Sequence, residues 1–472
     1  MKKKILAAVL AAAMVSTALT GCGGSDASDS SASSDSASDT QSADSDLDIS
    51  DARVYFLNFK PETDEAWQNL ADIYNSLGGN VTVLTATADG YATTLQAEMA
   101  KSEAPTIFNL SSTTDAQTWD NYTYDLSDSY IYEHSTDDSL TLTYNDKVVG
   151  VAYCYEAFGI IYNKTILEDY CTLDGAVISS VEELDDLDTL EAVAEDITAR
   201  LDEINETFGY ELEGAFASSG LDTGSSWRFT GHLANMPLYY EFIDDGVDVT
   251  VGEAEIDGTY LDNYKRVWDM YVNNSGANKK TLNSGALSAE TEFGMMEAVF
   301  YQNGDWEYSA LTNEENGYLV TAEDLDMIPI YFGVDDENQG LCVGTENHWA
   351  INSQCTEEEI QASLDFLEWV ITSDEGRSAM VGDMGLSCPF DTFTGEYAPE
   401  NVFSNKATEM VADGKTSIGW AFNTTPNSDD WRVDVATALT AYTDETGDWD
   451  AVVTAFVDGW SYQWTLAEEA AQ

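Results

Sequence analysis

Apolar positions along this chain follow two rhythms that alternate. From Val54 to Phe59 an apolar and aromatic run has strand character. Thr63 then stands where a helix cap is expected, and Ala66, Trp67, Leu70, Ile73, Tyr74 and Leu77 recur at helical spacing until Gly78-Gly79 stops the pattern. Val81 to Thr85 predicts a second strand. Tyr91, Leu95 and Met99 line one face of a second helix, and Thr106 to Leu110, after Pro105, predicts a third strand. Strand, helix, strand, helix, strand at this spacing predicts βαβ units, a parallel sheet and an α/β fold. In such sheets a ligand sits beyond the carboxyl ends of the strands, which points to Phe59-Lys60 and to Asn109 through Ser112.

The rhythm continues. Val148 to Tyr153 and Phe158 to Tyr162 predict further strands. A helix is expected from about Thr189, with Leu190, Val193, Ala194, Ile197 and Leu201 on its buried face, and another over Met295 to Gln302, ended by Gly304. Thr356-Glu-Glu-Glu359 is a capping box, and Ile360, Leu364, Leu367 and Ile371 continue that helix's buried face. No internal repeat is apparent.

The first 50 residues break from this pattern. Lys2, Lys3 and Lys4 precede an apolar run from Ile5 to Leu19, too short and wrongly flanked for a spanning helix. The run ends in Leu19-Thr20-Gly21-Cys22, which resembles the bacterial lipobox. The expectation is a signal peptide over 1–21 and a diacylglyceryl-modified Cys22, with acyl chains such as palmitate anchoring the mature protein to the outer face of the cell membrane. Gly23 to Asp46 is built from Gly, Ser, Asp and Ala with only Thr40 and Gln41 besides. Such a segment has too little apolar surface to offset chain entropy, so 22–50 is expected to be a disordered tether.

Composition narrows the function classes. Of 472 residues, 87 are Asp or Glu against 18 Lys or Arg, a formal charge of -69. That surface repels phosphates and argues against nucleic acid as a partner. It also makes isolated carboxylate pairs uninformative as catalytic signals. Beyond Cys22, the odd set of Cys154, Cys171, Cys342, Cys355 and Cys388 has no CxxC spacing, so neither a zinc site nor a redox motif is expected; whether Cys342 and Cys355 pair is left open. HExxH, GxSxG and GxGxxG are absent. Ala412-Asp-Gly-Lys-Thr416 resembles the end of a phosphate-binding loop, but its first glycine would fall at Glu409. His134, His232 and His348 lie far apart and suggest no triad. The chain is expected to be no enzyme and to hold no cofactor or metal.

Three segments carry a family resemblance. The strongest is Val149-Gly-Val-Ala-Tyr-Cys-Tyr-Glu-Ala-Phe-Gly-Ile-Ile-Tyr-Asn-Lys164. The others are Phe300-Tyr-Gln-Asn-Gly-Asp-Trp306, and Gly344 to Asn352 followed by the helix ending near Ser373-Asp-Glu-Gly376. In order and spacing they resemble the extracellular solute-binding proteins of ABC transporters, in the carbohydrate-binding group that includes maltose-binding protein. The resemblance covers essentially 51–472. It implies a two-lobed fold with hinge crossovers and an interlobe cleft, a first lobe over 51–155 and 328–353, and a second over 156–327 and 354–472. It further implies a monomer that takes a small carbohydrate and delivers it to permease subunits.

Sugars offer hydroxyls at their rims and apolar patches on their faces, so a site needs flat aromatics and planar polar groups. The resemblance places Glu156 at the lobe crossover lining the cleft, where a hinge salt bridge is the competing role, with Tyr155 beside it. Lys60, Asn109, Ser111 and Ser112 match positions where polar groups meet ligand. The family often has Asp at the latter; here none occurs until Asp115. Trp306 follows the Asn303-Gly304-Asp305 turn, and Trp227-Arg228 follows Gly224-Ser-Ser. Trp431 aligns roughly with a C-terminal family tryptophan that stacks on sugar. Each of these rings is either a ligand platform or a core anchor, whereas Trp349, in a strand-like run, reads as core. A surface glycoside hydrolase and a receptor for a peptide or polyamine remain as alternatives.

Overall fold

The computed structural model describes residues 49–470 apart from 87–89, 137–139, 286 and 399–400. The expected signal peptide, Cys22 and nearly all of the expected tether lie outside the described residues. Among the described residues twelve strands run in chain order: β1 (Val54–Asn58), β2 (Val81–Thr85), β3 (Ile107–Leu110), β4 (Thr141–Tyr144), β5 (Lys147–Ala152) and β6 (Glu156–Asn163). They continue as β7 (Gly214–Phe216), β8 (Ala298–Gly304), β9 (Leu325–Ile328), β10 (Gln339–Gly344), β11 (His348–Ile351) and β12 (Thr416–Ile418). Two mixed sheets result, each packed with helices, so the fold is α/β with two lobes.

The first sheet has the order β2-β1-β3-β11-β5-β4. β1 is parallel to β2 and β3, as the βαβ pattern predicts, and β11 inserts antiparallel between β3 and β5. β4 and β5 form a hairpin closed by Asn145 and Asp146, both left-handed at φ 50° and 61°, the conformation a two-residue I′ turn requires. The helix Asp64–Ser76 covers this sheet with Ala66, Trp67, Leu70 and Tyr74. Its sequence pattern overreaches: Ile73 and Leu77 are exposed, and the Thr63 hydroxyl donates to the Lys60 carbonyl instead of capping the helix. Trp349 of β11 is buried, stacked on Tyr153 at 4.7 Å and edge-on to Trp67.

The second sheet has the order β12-β10-β6-β8-β7. All eight residues of β6 are buried. One edge of β6 pairs with β8; the other pairs with β10 over Glu156 to Phe158 and with β9 over Ile160 to Asn163. The expected helix over Met295 to Gln302 is instead β8. Val299, Phe300 and Tyr301 are buried on both faces of the sheet, and an apolar run without alternation does not distinguish a core strand from a core helix.

The lobes are joined by short crossings. β5 passes to β6 through Tyr153–Tyr155, and β10 returns to β11 through Thr345–Asn347. The two segments lie side by side, with Tyr153 N–H donating to Asn347 O at 3.0 Å and Thr345 Oγ1 to Cys154 O at 2.7 Å. The return therefore falls at 345–347, not near 328, because β9 and β10 both pair with β6. The helix Glu357–Thr372 does not belong to the second lobe either: Phe366, Leu367 and Val370 share the first lobe's core with Trp67 and Trp349, as do Met380 and Phe390. The chain re-enters the second lobe only with the helix Val402–Ala412, whose Phe403 and Ala407 pack under its sheet. The capping box at Thr356 and Glu359 is formed.

The five described cysteines are free thiols; Cys342 sits in β10 and Cys355 ahead of the first-lobe helix, so they are not partners. Among the described residues no helix is long and apolar enough to cross a membrane.

Trp349 sits in the sheet, shares one core with the helix Glu357–Thr372 and stacks on Tyr153 at the crossing. Trp349→Ala is expected to lower stability by about 3–5 kcal/mol, measured as a shift of the urea midpoint at constant slope.

Candidate functional site

The site begins in the turn after β1. Asn58 is fully buried, and its side chain donates to Lys60 O at 2.8 Å and accepts from Lys60 N–H at 3.2 Å. Pro61 then starts a helical turn that points the chain away from the sheet. This clamp aims the Lys60 side chain across the gap between lobes. Its ammonium meets Glu156 Oε1, the first side chain of β6, at 2.6 Å, and Glu62 at 3.0 Å. The other Glu156 oxygen accepts from Asn347 Nδ2 at 2.9 Å, out of the second crossing. Burial alone would drive the Lys60 ammonium toward its neutral form; the carboxylates of Glu156 and Glu62 outweigh it and hold its pKa well above the ordinary lysine value.

Asp305 continues the ladder beyond β8. Its N–H donates to Ala157 O at 2.8 Å, and its Oδ2 accepts from Ala157 N–H at 3.0 Å and from the Ser404 hydroxyl at 2.7 Å. Burial, reinforced by the nearby charge of Glu156, pushes this carboxyl up to about 7. Glu346, in the second crossing, is likewise pushed up to about 7 by burial, with Arg432 opposing.

A cavity of about 560 Å³ opens between the lobes at this point. Lys60, Glu62 and Glu65 line it from the first lobe, together with Met384 to Ser387. Glu156, Asp305, Trp306, Ser309 and Asn313 line it from the second, and Tyr155 from the crossing itself. Trp306 is half-buried and backed by Trp227 and His232, with ring centres 5.8 and 5.3 Å away. His232 lies flat on Phe158 at 4.1 Å, and burial beside Arg432 and Arg228 keeps it neutral. Polar groups and a ring thus share one wall, an arrangement suited to holding a small polar molecule.

Residues 69–407 match the family of bacterial extracellular solute-binding proteins. The chain belongs to that family. Solved solute-binding structures share its fold. A chitin oligosaccharide binding protein superposes with a TM-score of 0.64 at 15% identity, covering 89% of this chain and 98% of that one. The solute-binding protein RafE in complex with raffinose gives 0.61 at 15%, covering 86% and 98%. Maltose-bound MalE3 of T. maritima gives 0.60 at 14%, covering 87% and 99%. No curated protein matches the sequence.

Within this solute-binding protein, Lys60, Tyr155, Glu156 and Trp306 meet at the cavity, and the other expected residues do not. Asn109 is buried, accepting from Phe59 N–H at 3.0 Å and donating to His348 O at 3.4 Å, so its amide joins strand ends. Ser111 and Ser112 are bound to Asp115 in the cap of the next short helix. Trp227 and Arg228 stand behind Trp306: the guanidinium lies 4.2 Å over the Trp227 ring and reaches Glu307 at 3.4 Å. Trp431 is 1% exposed, donates to Phe456 O at 2.9 Å and packs edge-on to Phe456 and Trp460, so neither face is free for a sugar. Its neighbour Arg432 turns toward the aromatic cluster instead, 5.5 Å over Phe422. The sequence does not single out Asp305 or Asn347 as site residues: the first stands out only as a turn position, the second only as one position of the Gly344 to Asn352 segment.

Removing one partner of a buried ion pair strands the other, which typically costs about 3–5 kcal/mol. Glu156→Ala is expected to lose that much in urea unfolding, and Lys60→Met with Glu156→Leu far less. The raised pKa of Asp305 sets a pH signature. An unfolded aspartate ionises near ~3.9, so between there and about 7 the folded chain holds an extra proton and stability falls as pH rises. Asp305→Asn removes that slope. Its melting temperature relative to the parent is expected to rise from pH 5 to pH 8.

Proposed function

We propose that this chain is a lipid-anchored receptor that captures a sugar or oligosaccharide in its interlobe cleft and delivers it to the permease of an ABC transporter. The observation that carries the reading is the cavity wall itself, where the half-buried ring of Trp306 stands beside the Lys60–Glu156 pair and Asp305. A flat apolar ring suits the C–H face of a pyranose, and charged planar groups suit its hydroxyls. Both lobes contribute to the wall, so a bound ligand favours the closed arrangement by the contacts it makes there. The ligands named for the similar structures, raffinose, maltose and chitin oligosaccharide, support a sugar. The lipobox-like Leu19-Thr20-Gly21-Cys22 supports tethering at the outer membrane face, where a permease is in reach.

A surface glycoside hydrolase is the second reading, because Asp305, pushed up to about 7, lies on the same cavity as Glu156. Such hydrolysis needs two carboxyls across a cleft, one of them able to hold its proton near neutral pH. Against it, both Glu156 oxygens are already engaged by Lys60 and Asn347.

One experiment separates these readings. Purified protein is incubated with raffinose, maltotriose, xylotriose and chitotriose, and thermal shifts and new reducing ends are recorded. Stabilisation without products is expected, worth about 2.7 kcal/mol at a hundredfold excess over Kd. New reducing ends would establish the hydrolase; no response to any sugar would favour a peptide or polyamine. Trp306→Ala is expected to weaken the responding sugar about tenfold or more while the melting temperature moves little. Cys22→Ala is expected to shift the protein from the membrane fraction to the medium.

A further inference from the structure

The last residue of β8 is Gly304, and the indole of Trp306 folds back across it. A β-carbon built on Gly304 would overlap Cη2, Cζ3 and Cε3 of that ring, the last at 2.6 Å, and these are its three nearest atoms. Gly304 is not in the left-handed region of the backbone, and it pairs with Phe158 in the ladder. What glycine supplies here is therefore room and not conformational freedom.

The chain on either side is held. Asp305 is tied to Ala157 in both directions, and its carbonyl accepts from Asn401 Nδ2 at 2.8 Å. Trp306 itself sits in a helical turn at φ −60°, ψ −24°, leading into the helix Glu307–Thr312. Glu307 is buried and paired with Arg228. With the backbone fixed, only the side-chain torsions of Trp306 can set its ring plane. Those torsions are bounded by Gly304 beneath the ring and by Trp227 and His232 beside it. Trp306 itself lines the cavity.

We propose that Gly304 is a positioning residue for ligand capture: its missing side chain sets the plane in which Trp306 offers its ring to a sugar face. The proposal rests on the reading of Trp306 as a sugar platform. A methyl group at 304 occupies the seat of the six-membered ring, so the indole must swing toward the cavity and away from stacking geometry. A contrast exists on the other flank of β6. Gly344 ends β10 opposite Glu156, and the ring of Trp420 covers it, 2.6 Å from a built β-carbon to Cδ2. Trp420, however, is buried and off the cavity wall. The same seat thus serves core packing on one flank and ligand on the other.

The test compares Gly304→Ala, Trp306→Phe and the double variant with the parent. Phenylalanine keeps a ring but lacks the outer atoms that rest on Gly304. Gly304→Ala is expected to alter the near-ultraviolet circular dichroism of the indole. It is also expected to weaken the best-bound oligosaccharide among raffinose, maltotriose, xylotriose and chitotriose about tenfold, the change that loss of one stacking contact implies. In the Trp306→Phe background the same substitution is expected to change affinity less than about twofold, because coupled sites are not additive. An equal loss in both backgrounds, or an unaltered indole signal, overturns the proposal. If Gly304→Ala fails to fold while the double variant folds, the collision with the indole is supported. If neither folds, the strand and not the ring requires the glycine, and the proposal falls. The dichroism needs no sugar, so a panel in which nothing binds defeats the sugar reading visibly, and with it the ligand role, while the seating of the ring is read separately.

Discussion

A carboxylate withdrawn from water at a junction must find every bond it needs from whatever converges there, and Glu156 does so at the place where the two lobes meet. It receives an ammonium from the turn after β1 and an amide from the second crossing, while its own strand begins the second lobe. The cost of leaving either charge unpaired in so dry a position exceeds what most surface contacts contribute. The crossing at Tyr153–Tyr155, the turn held by Asn58 and the cavity beside them therefore share a single geometric reference. The aromatic cluster over Phe158 is built one residue pair farther along the same strand.

Much of this organisation was legible in the chain because it depends on local periodicity. The alternation of apolar runs and helical stripes over 54–110 exposed the parallel start of the first sheet, and the capping box at Thr356 marked a helix that is present. What escaped was whatever depends on partners remote in sequence. The stretch ending at Gly304 is buried on both faces, so its pattern carries no period to separate strand from helix. The lobe boundaries near 328 and 354 shifted because β9 pairs with β6, and because the helix Glu357–Thr372 turns its apolar face to Trp67 and Trp349.

The site shows the same division. Lys60 and Glu156 follow from a sound rule about strand ends and from the motif at the crossing. Asn109 and Ser111 satisfy that rule equally well, yet their side chains are consumed by neighbours a sequence does not reveal, the Phe59 amide and Asp115. Trp431 illustrates the limit of a rough alignment. A step of one residue along a helix rotates the side chain by about 100°, enough to send Trp431 into the core and Arg432 over the Phe422 ring.

The placement of β11 has a consequence for how the chain comes into being. It lies between β3 and β5, so among the described strands it is the one that joins the β1–β3 half of the first sheet to the β4–β5 hairpin. It is also made some two hundred residues after them (roughly 240 beyond β3, an unusually non-local pairing). The native order of the first sheet can therefore be completed only once residues 348–351 have been made. The lateness of one short strand thus places the closing of the first sheet well into the second half of the chain's synthesis.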